Sequence, residues 1–269
     1  PLFGFFGGLG FISPPQTPPG APAPAPPALA AGFTAVPVTA AGPIGEPVDT
    51  AYARRDDLAV IELADVSGLV RLPDGAFAPM TATSRGTGEV IAAAIAAGCR
   101  QVVLGIGGSA GTDGGAGLLR ALGAHLLDAA GAEIEDGGAA LAQLAALDLA
   151  ALRERTAGVE FTVACDVDNP LLGPRGAAAV YGPQKGTDAA QATILDAALG
   201  HWADVVAATT GSDLRDTPRR GRGRRRRLRG RRRARGPADT RHRIGPGPGR
   251  FRPAAGAGGS GRHGRGHAR

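Results

Sequence analysis

The chain has 269 residues, of which 43% are hydrophobic and 20% are charged, so it is long and apolar enough to bury a sizeable core. Its two cysteines, Cys99 and Cys165, exclude a disulfide-stapled secreted domain and a C-x-x-C zinc site, and they suit a reducing cytoplasm. The net charge of +6 and the isoelectric point of about 10.5 favour an acidic partner such as nucleic acid.

This charge is divided sharply along the chain. Residues 1–218 carry 11 basic and 23 acidic side chains, whereas residues 219–269 carry 19 arginines and one aspartate, so the net charges are −12 and +18. An Arg/Gly-rich segment cannot build a core and is typical of a disordered, nucleic-acid-binding tail. We therefore expect a low-complexity segment over 1–29, a folded region over 30–218 and a disordered tail over 219–269.

Hydrophobic patterns in the folded region alternate between β-branched runs and helical repeats. They predict strands over Leu58–Leu63, Gln101–Ile106 and Val159–Ala164. They predict helices over Gly88–Ala97, Gly115–Leu122 and Leu141–Leu147, a helical turn over Asp148–Arg153, and a long helix over Asp188–Ala207. This alternation predicts an α/β fold with a largely parallel sheet and flanking helices. Ligands bind beyond the carboxyl ends of such strands, so the loops after Ile106 and Ala164 are the predicted site.

The segment Val102–Gly123 joins a predicted strand to a predicted helix through a loop with seven glycines. Glycine permits positive φ and close approach of backbone N–H groups, and the next helix adds its own unpaired N–H groups, so the loop predicts an anion site. We expect its contacts to come from Gly107, Gly108, Ser109, Gly114 and Gly115. The chain has no G-x-x-x-x-G-K-[ST] P-loop, but 105–110 matches G-x-G-x-x-A and Asp128 follows near the distance of a ribose-binding acid. An NAD-dependent oxidoreductase is therefore an alternative.

Polar residues elsewhere in the folded region have plainer interpretations. Thr83 and Ser84 precede a helical pattern, which favours helix capping over substrate contact. Glu62 interrupts an apolar strand, so we expect it to face a polar partner or a cleft. The only lysine, Lys185, lies in YGPQKG, and a lysine ammonium is a compact charge suited to a phosphate.

Six short motifs follow one another in the folded region. They are GPIGEPV at 42–48, VIELADVSGL at 60–69, TSRGTGEVI at 83–91, GGSAGTDGGAG at 107–117, VACDVDNPLLG at 163–173 and YGPQKG at 181–186. In this order and spacing they resemble the bacterial glycerate kinase family, from about Ala30 to Pro218. Arg85 stands where that family has tyrosine, so any ligand contact made by the tyrosine is lost here.

The resemblance implies a two-domain α/β enzyme that transfers the γ-phosphate of ATP to glycerate, with the 2-position favoured. Lys185 would then neutralise phosphate charge, and Asp166 or Asp168 would hold Mg²⁺ through carboxylate oxygens. One of these two aspartates, or Asp113, would accept the proton of the attacking hydroxyl, and Asp166 is preferred because it directly follows the strand. Asn169 would contact the nucleotide, or would form a plain turn before the following proline.

Both ends of the chain depart from the family's pattern. The family's D-S-F-K-G-S and D-G-G-E-G-T motifs, expected before residue 30, and its G-E-G-x-x-D-x-Q-T segment, expected after residue 218, do not occur. Arg, Gly, Pro and Ala codons can be built wholly from G and C, so we expect 1–29 and 219–269 to be frame errors or truncations and the active site to be incomplete. If the tail is genuine, the alternative is a nucleic-acid-binding protein whose binding falls steeply with salt.

Overall fold

The computed structural model describes residues 32–74, 76–165, 169–213 and 215. Within these residues a main sheet has five strands in the order β1-β2-β3-β4-β7, and a separate small sheet pairs β5 with β6. The strands are β1 Thr34–Ala41, β2 Pro47–Arg55, β3 Leu58–Glu62, β4 Gln101–Gly105, β5 His125–Leu127, β6 Ala146–Asp148 and β7 Glu160–Ala164.

The main sheet is mixed. The pairs β1–β2 and β2–β3 are antiparallel, whereas β3–β4 and β4–β7 are parallel. The connections 42–46 and 56–57 are too short for a crossover, so the strands that they join must be antiparallel. The α/β fold predicted from the sequence is confirmed, and parallel pairing is confined to β3, β4 and β7.

Helices flank the sheet, and four of them, over 85–96, 116–121, 150–155 and 189–210, occupy positions that the hydrophobic patterns indicated, with shifted ends. The short helices over 64–67 and 177–181 were not predicted. They are α1 Ala64–Ser67, α2 Arg85–Ala96, α3 Ala116–Ala121, α4 Ala150–Arg155, α5 Ala177–Tyr181 and α6 Ala189–Thr210. α2 begins three residues before the predicted Gly88. Asp188 lies outside α6 as its N-cap, where it forms a capping box with Gln191, and Gly211 ends this helix with φ of 71°.

The predicted helix Leu141–Leu147 is wrong. A short 3₁₀ turn occupies Ala139–Gln143, and β6 begins at Ala146. Leu141, Leu144 and Leu147 are all buried. Their spacing of three residues matches the 3₁₀ period as well as a helix face, and Leu147 then reaches the core from a strand that pairs with β5.

Two groups of helices bury the apolar core. α2 and α3 pack against each other, with Ile91 and Leu119 fully buried, and α6 packs on α5 and on the 139–143 turn, burying Leu199 and Trp202. Each such side chain stabilises the fold by about 1.5–3 kcal/mol. Within the described ranges, no helix combines the length and the apolarity that a membrane crossing requires. This packing leaves the carboxyl ends of β3, β4 and β7 side by side.

Candidate active site

The glycine loop leaves β4 at Gly105 and enters α3 at Ala116, as predicted. Gly114 has φ of 58°, and a Cβ there would lie 2.8 Å from the Trp202 ring. Gly117 has no room for a side chain either, because a Cβ would lie 2.2 Å from the Thr83 hydroxyl oxygen. Gly114 is therefore required by its backbone conformation, and Gly117 by close packing.

The backbone N–H groups of this loop divide into two sets. Those of Gly115 and Gly117 donate to the Asp113 carboxylate, at 3.0 and 3.2 Å. The N–H groups at four other positions donate to no acceptor among the described residues, and they belong to Gly107, Gly108, Ser109 and Gly114. Four of the five predicted contact residues thus have a backbone N–H without an acceptor among the described residues.

Lys185 lies against this loop. It ends a 3₁₀ turn, Pro183–Lys185, and is 3% exposed. Its Nζ donates to Ser109 Oγ at 2.9 Å and to the carbonyl oxygen of Gly111. Burial lowers the pKa of Lys185 to about 8, although the negative charge of Asp113 opposes that shift. An ammonium has three N–H donors, and these two bonds use two of them.

Asp113 is the most enclosed acid of the site, with 2% exposure. Besides the two glycine N–H groups, its Oδ2 accepts from Ser84 N and Ser84 Oγ, both at 2.8 Å. Ser84 Oγ in turn accepts from Leu118 N at 3.0 Å. Ser84 is the N-cap residue of α2 but makes no side-chain cap there, so its hydroxyl serves α3 and Asp113 instead of its own helix.

The side-chain amide of Asn169 is hydrogen-bonded within the protein at both ends. Its Nδ2 donates to the carbonyl of Arg175 at 3.1 Å, and its Oδ1 accepts from the Tyr181 hydroxyl at 2.6 Å. The amide therefore fixes the turn after β7, in line with the turn-forming alternative. Asp166 and Asp168 lie outside the described residues. No group of three or more His, Cys, Asp or Glu side chains in the described part of the chain is placed to hold a metal ion.

A pocket that is partly open to solvent lies beside the loop and the carboxyl ends of the parallel strands. Its lining is predominantly apolar and includes Leu104, Ile106 and Val163, and the residues Ser84, Ser109 and Asp113 also border it. The prediction that a site forms at this edge of the sheet is consistent with the position of this pocket.

Two buried hydroxyls beside the site lack hydrogen-bond partners among the described residues. They belong to Thr112, within the glycine loop, and to Thr187, two residues after Lys185. An unpaired buried hydroxyl costs free energy, and such groups concentrate where a ligand or a bound water completes the network.

Three contacts of this region carry no local sequence signal. The Ser84–Asp113 bond joins residues 29 positions apart, and the Trp202 indole N–H donates to the carbonyl of Gly114 at 3.3 Å across 88 positions. Glu62 is exposed and faces Gly105, where a Cβ would lie 2.0 Å from its carboxylate oxygen. Partial burial, and secondarily the neighbouring Asp65, raise the pKa of Glu62.

The geometry expected of a dinucleotide site differs from what is present. Asp128 follows β5, which belongs to the small antiparallel sheet rather than to the parallel strands beside β4. Its Oδ1 accepts from Ala130 N and Ala132 N, at 2.8 and 2.9 Å, and so stabilises a turn. Asp128 therefore does not lie at the end of a parallel strand beside β4, where a ribose contact requires an acid.

Comparison with known proteins identifies the family. The sequence profile of the glycerate kinase family matches residues 27–224. The chain belongs to this family. It is 50% identical over 182 residues to the glycerate kinase of Bacillus subtilis (strain 168), and 44% identical over 182 residues to the glycerate 2-kinase of Escherichia coli (strain K12). Each match covers 67% of this chain and 48% of the relative, so the chain spans about half the length of these curated relatives.

A solved structure agrees with the family assignment. A crystal structure of a candidate glycerate kinase 2 from Salmonella typhimurium LT2 matches with a TM-score of 0.68 and 43% sequence identity. The match covers 71% of this chain and 51% of that one. The resemblance read from the six motifs is therefore confirmed, and the comparisons give no support to the oxidoreductase or to a nucleic-acid-binding protein. The Arg/Gly tail lies outside the described residues.

Proposed function

We propose that this chain carries the phosphate-binding part of a glycerate kinase, which transfers the γ-phosphate of ATP to glycerate. The observation that carries the proposal is the glycine loop, in which four unpaired N–H groups and the buried Lys185 ammonium occur together. Phosphoryl transfer depends mainly on positioning and on neutralising phosphate charge, and this loop offers both. The name of the Escherichia coli relative favours 2-phosphoglycerate as the product.

In the proposed reaction a glycerate hydroxyl oxygen forms a bond to the γ-phosphorus while the bond from that phosphorus to the β–γ bridging oxygen breaks. The N–H groups of Gly107 and Gly108, which are partly exposed, would hold phosphate oxygens, and Gly114 and Ser109 would add donors deeper in the loop. The free N–H of Lys185 would balance the charge that develops on the leaving ADP.

The hydroxyl proton requires an acceptor. We assign this role to Asp166 or Asp168, which follow β7 in the chain just beyond the strand end that lies beside Gly105. The same two carboxylates are the proposed ligands of Mg²⁺, which would supply further positive charge to the phosphates when bound. Asn169 remains in the proposed nucleotide-binding set through its backbone, since its side-chain amide is already paired.

Ligand binding by the whole 269-residue chain tests this function directly. Isothermal titration should detect ADP and glycerate, and a coupled assay of ADP release should detect turnover if the other active-site segments are present. NAD is the control ligand and should not bind. A chain that is folded by circular dichroism and binds neither ADP nor inorganic phosphate would contradict the proposal.

We further infer that residues 30–218 form the kinase region in the cytoplasm, where cysteine thiols such as that of Cys99 stay reduced. Removal of residues 219–269 takes away a net charge of +18 and should leave ADP affinity unchanged. The same truncation should abolish any salt-sensitive binding of duplex DNA, measured by fluorescence anisotropy at two salt concentrations. Loss of ADP binding on truncation would show that the kinase region extends beyond residue 218.

A further inference from the structure

We propose that Asp113 is a positioning residue that holds the glycine loop in its anion-binding conformation, with Ser84 as its partner, and that it does not accept the substrate proton. The proposal rests on the proposed function, because it concerns the same loop. It separates Asp113 from the two other aspartates that the reaction leaves as candidate bases.

The hydrogen bonds of Asp113 already occupy its carboxylate. Oδ2 accepts three bonds, from Ser84 N, Ser84 Oγ and Gly117 N, and Oδ1 accepts one from Gly115 N. An ionised carboxylate has about four acceptor positions, and a protonated one becomes partly a donor. A proton taken up by Asp113 during the reaction would leave a buried N–H without its acceptor, which costs free energy. This cost argues against Asp113 as the proton acceptor.

The donors to Asp113 come from the beginnings of two helices. Ser84 precedes α2, Gly115 precedes α3, and Gly117 lies in the first turn of α3. A carboxylate is stabilised at helix N-termini, where backbone N–H groups are unpaired. Asp113 therefore fastens the end of the glycine loop to the beginnings of two helices at once.

The opposite flank of the loop is held by the opposite charge. Lys185 donates to Ser109 Oγ and to the Gly111 carbonyl. The buried cation therefore holds the loop at Gly111, two residues before the buried anion Asp113. The unpaired N–H groups lie on both sides of these attachments, since Gly108 precedes Ser109 and Gly114 follows Asp113. Fixing donors before the ligand arrives lowers the entropic cost of binding, as in preorganised oxyanion sites.

A set of four variants tests this role through the affinity for ADP, measured by isothermal titration on the whole chain. S84A removes the hydroxyl that donates to Asp113 and accepts from Leu118, and it should weaken ADP binding about tenfold. S84T retains a hydroxyl and should restore most of the affinity. D113N turns one acceptor oxygen into a donor group, and should weaken binding by about tenfold to 100-fold.

The double variant S84A/D113N provides the decisive comparison. If both residues act through one hydrogen-bonded unit, the double variant should bind ADP no more weakly than D113N alone. A general base is not needed for ground-state binding. Wild-type ADP affinity in D113N and S84A, accompanied by loss of turnover in D113N alone, would therefore overturn the proposal and make Asp113 the base.

Two further measurements keep structural damage apart from positioning. Thr156→Val removes another buried hydroxyl, one that bonds the carbonyl of Leu152 on α4, and it should lower the melting temperature without changing ADP affinity. If D113N fails to fold, the pair S84A and S84T decides the question by itself. If the wild-type chain binds no ADP, the proposed function is wrong. If the wild type and all the variants bind ADP with equal affinity, only the role of Asp113 is wrong.

Discussion

The two parts of the main sheet bury different kinds of residue. In the antiparallel strands β1 and β2 the buried side chains are Ala40, Tyr52 and Ala53, and the charged side chains of these strands keep access to solvent. Beyond the carboxyl ends of the parallel strands, by contrast, the fold encloses Asp113 and Lys185 at 2% and 3% exposure. Burying a charge is costly unless it is paired, so the contrast favours the parallel part for the proposed chemistry.

The largest expected effect comes from removing the buried cation. Lys185→Met deletes two charge-assisted hydrogen bonds to the loop and the donor proposed for phosphate, so ADP should bind about 100-fold more weakly. Isothermal titration measures the change, with Lys185→Arg as the matched variant that keeps the charge. If Lys185→Met binds ADP as tightly as the wild type, the buried charges of the parallel part would contribute to stability alone.

A smaller effect should follow from disturbing the loop backbone. Gly114→Ala forces a side chain into a positive-φ position against Trp202, and it should destabilise the fold by about 2 kcal/mol. Gly131 is the control, because its φ is 81° but no atom lies within 4 Å of a Cβ there. Gly131→Ala should cost about 1 kcal/mol. Equal shifts in melting temperature for both variants would show that contact with Trp202 contributes nothing.

The pH dependence of ADP affinity should sharpen the same contrast. Burial lowers the pKa of Lys185 to about 8, so its ammonium is charged below that pH and loses its proton above it. Affinity for an anion is therefore fully present below pH 8 and should fall as pH rises, by up to about tenfold per unit. Titrations from neutral pH upward measure this fall. Lys185→Arg should remove it, because a guanidinium stays protonated, and a fall that persists in this variant would assign the titration to another group.

The smallest effect is expected in the hairpin of β1 and β2. Thr39 Oγ1 donates to Asp49 across the two strands at 2.8 Å, but both residues are exposed. Thr39→Ala should therefore change the free energy of unfolding by less than about 0.5 kcal/mol, and ADP affinity not at all. Chemical denaturation and titration check the two parts. A marked loss of affinity would mean that the antiparallel strands influence the loop after all.

Much of the parallel part could be predicted from sequence, because its signals are local. The β-branched run before Gly105, the glycines after it and the helical pattern that follows define β4, the loop and α3 within one stretch of chain. Lys185 was placed near phosphate because a single lysine falls within a family motif, and the structure brings it to the loop. The helix predicted over Leu141–Leu147 is wrong because leucines spaced by three residues do not distinguish a helix from a 3₁₀ turn followed by a strand.

The contacts that tune the site could not be predicted in the same way. Ser84 was interpreted as a helix cap because the residues next to it form α2, and nothing near it in the chain announces Asp113. Hydrogen bonds across 29 or 88 positions depend on how helices pack, and one sequence contains no local record of that. Asp166 and Asp168 stay predictions, as do their roles as base and metal ligand.

The indole that lies under Gly114 has a practical consequence. Trp202 is the chain's one tryptophan, it is 1% exposed, and its N–H bonds the loop backbone at 3.3 Å. With excitation that selects tryptophan over the two tyrosines, the emission of this protein therefore originates from a single fluorophore placed against the glycine loop. Its wavelength and lifetime report solvent access at that one place, so the protein carries its own optical reporter of the loop without any added label.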